Sequence, residues 1–118
     1  MKTWEETTAS QCRYSDIAEH IFKDAVIIWE DSSADYQGNV NIVGVFEGYN
    51  GKFFHFVYSY GSCSGCDEWE DRSLSDDEIE TEMREKCLST FENIEHFKNY
   101  VSNIKEMNDA LTGWLSKS

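Results

Sequence analysis

Proline is absent from the 118 residues of this chain, and cysteine occurs only four times. Basic residues are scarce: ten Lys and Arg stand against 23 Asp and Glu, a formal charge of −13. Long apolar runs are missing too, the longest being AVIIW from Ala25 to Trp29. Each shortage excludes something. Without proline there is no cis-proline to support a thioredoxin-type dithiol. Without a basic excess the chain has no means of neutralising nucleic-acid phosphates or an anionic membrane. AVIIW is too short for a secretory h-region or a membrane span, so the expected location is the cytoplasm. In that compartment the four cysteines, Cys12, Cys63, Cys66 and Cys87, read as thiols or metal ligands rather than a disulfide framework.

What the chain does hold is aromatic: seven Phe, six Tyr and four Trp. That is enough apolar bulk for one domain spanning residues 1–118 to bury a core without staples. The first dozen residues, MKTWEETTASQC, are polar apart from Trp4 and suit an arm or short edge element. Ser15 reads as an N-cap, with Ile17, Ala18, Ile21 and Phe22 on one side of a short helix. Ala25 to Trp29 is strand-like, and SSADYQG, from Ser32 to Gly38, is a loop by composition.

Val40 to Glu47 and Lys52 to Tyr60 predict a hairpin, with Asn50-Gly51 as a type I′ turn. That turn would pair Tyr49 with Lys52 and set Val43 opposite Tyr58 and Val45 opposite Phe56. The other face would carry Ile42, Gly44, Phe46, Phe53, His55 and Val57, with His55 opposite Phe46 as a satisfied core histidine. Ser75-Asp76-Asp77-Glu78 is a capping box, and Ile79, Met83, Cys87 and Phe91 mark the buried stripe of the helix it starts. A second helix follows with Asn93 as its cap and Ile94, Phe97, Val101 and Ile104 as its apolar face. Met107, Leu111, Trp114 and Leu115 extend it, or form a last helix bent near Asn108. The expected class is α+β: an antiparallel β-meander of about three strands packed with N- and C-terminal helices.

The stretch Tyr60 to Glu70, YGSCSGCDEWE, admits three readings. As a redox pair it is opposed by Asp67, Glu68, Glu70 and Asp71, whose negative field disfavours a thiolate. As a zinc site, Cys63 and Cys66 supply half a tetrahedral ligand set, the rest coming from Cys12, Cys87 or one of His20, His55 and His96. As a tight turn, Gly61 and Gly65 supply unusual backbone angles, Ser62 and Ser64 bond local amides, and Trp69 anchors the outgoing chain.

YGSCSGCD, with the acidic-aromatic stretch behind it and DYQG and the aromatic hairpin ahead of it, resembles a motif in small uncharacterised proteins of bacteriophages and prophages. The resemblance covers Asp35 to Glu70 and implies a short phage-encoded accessory protein that acts on host machinery. It carries no activity with it.

From Asp67 to Glu85 there are ten carboxylates and two arginines, net −8 in 19 residues. The plain reading is a solvated face that confers solubility. The same density imitates nucleic-acid phosphates, and small phage inhibitors of restriction and CRISPR effectors often occupy basic grooves in this way. The expected partner-binding residues are Asp67, Glu68, Trp69, Glu70, Asp71, Asp76, Asp77, Glu80 and Glu85, with Asp76, Asp77, Glu80 and Glu85 facing solvent. No H-E-x-x-H motif, Gly-rich phosphate loop or Ser/His/Asp arrangement points to an enzyme. The expected function is inhibition of a basic host macromolecule (anti-CRISPR or anti-restriction), with no catalysis, direct nucleic-acid contact or membrane contact. The alternative is a small zinc-stabilised domain using Cys63 and Cys66.

Overall fold

The computed structural model describes residues 2–32, 38–47, 52–60, 69 and 72–117. Asn50-Gly51, Cys63, Cys66 and four of the expected partner-binding residues, Asp67, Glu68, Glu70 and Asp71, lie outside them. The fold is α+β. An antiparallel sheet runs in sequential order β1 (Lys2–Thr3), β2 (Ala25–Glu30), β3 (Gly38–Phe46), β4 (Lys52–Tyr60) and β5 (Leu88–Phe91). One face carries α1 (Ser15–Phe22) and α2 (Asp76–Glu82), and the other carries α3 (Ile94–Val101) and α4 (Lys105–Lys117). Among the described residues no helix is long and apolar enough to cross a membrane.

Two cores follow from strand alternation. Val40, Ile42, Phe46, Phe54, Phe56 and Tyr58 point toward α1 and α2, where Phe22 lies 5.0 Å from Trp4, 5.1 Å from Phe54 and 4.7 Å from Phe56 between ring centroids. Val43, Val45 and Phe53 point the other way, onto Phe97, Val101, Met107 and Leu111. Ile17, Ala18, Ile21 and Phe22 are buried, as the spacing of α1 requires.

The hairpin register departs from the expected one. Phe46 pairs with Lys52, so Val43 lies opposite His55, Val45 opposite Phe53 and Ile42 opposite Phe56. Five residues rather than two therefore separate the strands. An odd shift exchanges one strand's faces relative to the other. The observed register gathers Ile42, Phe46, Phe54, Phe56 and Tyr58 on one surface against Phe22; the two-residue turn would have divided them. His55 lies opposite Val43, not Phe46.

The stripe expected to run from Ile79 to Phe91 on one helix is cut short. Ile79 and Met83 are buried, but the helix widens into a π turn at Met83–Cys87, and Leu88–Phe91 becomes β5. β4 has an edge open at Phe53 to Phe56, and pairing there satisfies backbone groups that a longer helix would leave exposed. A bulge in β2 sets Ile27 opposite Gly44 and Trp29 opposite Val43, which turns Trp29 onto the α3–α4 side.

Two boundaries also move. The N-cap of α1 is Tyr14 at φ 69°, not Ser15, and its carbonyl accepts from Ile17 N and Ala18 N. The C-terminal helices break between Val101 and Lys105, ahead of Asn108, and Ile104 is exposed in that break. The capping box and the Asn93 cap stand as expected: Ser75 Oγ accepts from Glu78 N at 3.3 Å, and Asn93 Oδ1 accepts from Glu95 N at 2.8 Å.

Candidate functional site: an acidic helical layer

The two helical layers carry different charge. From Asn93 to Lys117 three carboxylates meet three lysines, so the α3–α4 side is balanced. On the opposite side residues 13–24, which hold α1, carry Asp16, Glu19 and Asp24 against Arg13 and Lys23. Residues 76–87 add six carboxylates against Arg84 and Lys86. Burial explains the arrangement. Ile79 and Met83 must reach the core from α2 and the π turn, so the charged residues between them turn outward.

Hydrogen bonds and ion pairs engage only the inner rank of this layer. Glu80 accepts from His20 Nδ1 at 2.9 Å and from Arg84 Nε at 3.3 Å, tying α2 to α1. Glu82 is bonded by Lys86 Nζ at 2.6 Å and by Arg72. Those bonds, that of Lys86 first, hold the Glu82 carboxyl below the usual carboxylate range. Asp16, Glu19, Asp76, Asp77 and Glu85 are exposed and have no cationic partner among the described residues. Asp76, Asp77 and Glu85 thus face solvent as expected. Glu80 does not: it is half-buried in its pairs with His20 and Arg84.

Trp69 is a core residue. Its ring lies 5.1 Å from Tyr14 and 5.4 Å from Tyr58, and it is 7% exposed. It packs beside the end of β4 and presents little surface to a partner, while Gly61, Ser62, Ser64 and Gly65 of the turn reading lie outside the described residues. Tyr58 donates to Arg13 O at 2.6 Å, and burial pushes its phenol far above the ordinary tyrosine range. The Cys12 and Cys87 thiols, with Tyr60 and Tyr14, lie near enough to push it further. Cys12 is buried with Sγ 3.7 Å from Thr8 O, and burial raises its thiol as well. Among the described residues no three His, Cys, Asp or Glu side chains converge as metal ligands.

On the balanced side, His55 is satisfied at both nitrogens. Nε2 lies 2.7 Å from Asn41 Oδ1 and Nδ1 2.6 Å from the Tyr100 hydroxyl. A carbonyl oxygen only accepts, so Nε2 carries the proton and Nδ1 accepts from Tyr100. The expectation of a satisfied core histidine holds, although neither partner was visible in the sequence.

Comparison with protein-family models, curated proteins and solved structures finds no match to this chain.

Proposed function

We propose that this chain is a phage-type accessory protein that binds a basic surface of a host macromolecule and inhibits it as an acidic nucleic-acid mimic. The fitting partner class is a nucleic-acid-processing defence enzyme, a restriction or CRISPR effector, met in the host cytoplasm. No catalytic step is involved. The observation behind this reading is the unequal charge of the two helical layers: one balanced, the other carrying Asp16, Glu19, Asp76, Asp77 and Glu85 without cationic partners among the described residues. A chain that needed charge only for solubility has no reason to gather it on one side. Fixed, exposed carboxylates on short helices offer what a phosphate-binding groove is built to meet.

The test compares the parent with Asp76→Lys/Asp77→Lys/Glu85→Lys, immobilised side by side and exposed to host-cell lysate at rising salt, with and without competing duplex DNA. Capture of nucleic-acid enzymes that is lost above physiological salt, displaced by DNA and absent on the reversed variant supports the proposal. Capture that is indifferent to salt and survives reversal sinks it. Exposed charges contribute little to stability, so the variant should remain folded.

The second reading, a small zinc-stabilised domain, has one observation in its favour. Cys12 is buried in the same core cluster as Tyr58, two residues before the end of β4, Cys87 packs against that cluster, and the chain then runs on to Cys63 and Cys66. Four thiols would complete a tetrahedral zinc site. Stoichiometric zinc by elemental analysis, released by mild acid as the thiolates protonate, supports it. Metal-free protein whose melting is unchanged by Cys63→Ser/Cys66→Ser ends it.

A further inference from the structure

Basic residues are rare in this chain, yet His20, Lys23, Lys52 and Arg84 converge on one cleft of about 250 Å³. They come from α1, the turn after it, β4 and the π turn, so only the tertiary fold brings them together. Phe46 and Leu88 form an apolar wall, and Thr90 adds a hydroxyl. Among the described residues Asp24 is the one carboxylate lining the cleft.

Existing pairs leave donors over. Lys52 Nζ is 3.2 Å from Glu92, whose side chain is 79% exposed, so water competes for that pair and it exchanges readily. Arg84 is bonded among the described residues only by Glu80, through Nε, which leaves its two terminal nitrogens for an incoming group. His20 meets the other Glu80 oxygen, so Glu80 fixes the Arg84 head at the cleft without consuming it. Lys23 is exposed and has no ion pair among the described residues.

We propose that this cleft binds a small organic phosphate, with the phosphate between Lys23, Lys52 and Arg84 and the apolar part against Phe46 and Leu88. Donors arriving from three elements suit a tetrahedral dianion better than a planar carboxylate, which the Arg84 fork alone would satisfy. The apolar wall and the volume exceed what a bare ion fills, while the volume falls below the range of pockets for drug-sized ligands, roughly 300–1,000 Å³. The acidic layer around it opposes entry of anions and keeps the affinity modest.

Amide chemical-shift titration of the full chain tests this, with inorganic phosphate, phenyl phosphate and sodium chloride at matched ionic strength as probes. Both phosphates should give saturable shifts at Lys23, Asp24, Lys52, Arg84 and Thr90, and phenyl phosphate should bind about tenfold more tightly through its ring. Lys23→Gln/Arg84→Gln should weaken both by about tenfold or more while the remaining spectrum is unchanged. Shifts that fail to saturate, or that chloride reproduces, overturn the site. Phenyl phosphate binding no tighter than inorganic phosphate overturns the assignment of an organic ligand.

Discussion

His55 and Tyr100 meet across the sheet–helix interface, Nδ1 to phenol oxygen, at 2.6 Å, although 45 residues separate them in the chain. With Asn41 at its other nitrogen, the imidazole is held neutral in a site where burial lowers its pKa from the ordinary histidine value. Its folded pKa therefore lies below its unfolded one. Stability should be greatest above the unfolded value, about 6.5, and decline as pH falls from there through the folded value. Denaturant melts across that range should show the decline in the parent and a shallower one in His55→Gln. Equal slopes would show that His55 does not couple folding to protons. Tyr100→Phe removes the donor to Nδ1 and should cost about 1 kcal/mol.

Gly44 faces the crowded side of the sheet. A Cβ there would overlap the Val26 carbonyl oxygen and lie 2.7 Å from the Phe54 ring. Phe54 is fully buried and has nowhere to withdraw, so Gly44→Ala should destabilise the domain by about 1–3 kcal/mol. Thermal unfolding at the parent's midpoint would reveal a mistaken contact.

Phe22 is the hub of the α1-side core, with four aromatic rings around it. Phe22→Ala should cost about 3–5 kcal/mol, and Phe22→Leu less, because the leucine refills part of the cavity. Equal losses for the two variants would mean that ring stacking outweighs volume there.

The Ser75–Glu78 box closes both ways: Ser75 N donates to Glu78 Oε1 at 3.2 Å, and Glu78 N donates to Ser75 Oγ at 3.3 Å. Ser75→Ala should cost about 1 kcal/mol. Hydrogen exchange at the amides of Glu78 and Ile79 is the direct readout, and it should quicken in the variant ahead of the core strands.

Signals that act within a turn or two of chain were legible in advance. The buried stripe of α1, the Ser75 box, the Asn93 cap and the strand from Ala25 depend on side-chain spacing and on bonds to nearby amides, which the sequence states directly. The α+β class followed from the order of those elements. Even so, local signals misled at Ser15: the cap is Tyr14 in the αL conformation, whose ring meets Trp69, far along the chain.

Tertiary structure alone decided the rest. Hairpin register depends on which faces fit Phe22 and Phe97, and a strand carries no mark of that choice in its own residues. Phe91 kept a helical spacing with Met83 and Cys87, yet pairing with the open edge of β4 drew it into a strand. The carboxylates were countable in the sequence, but their gathering on one layer, and the convergence of Lys23, Lys52 and Arg84 on one cleft, required the sheet to divide its helices between two faces. Composition determined how much charge the protein carries; packing decided where that charge stands, because buried apolar side chains fix the outward direction of every residue between them.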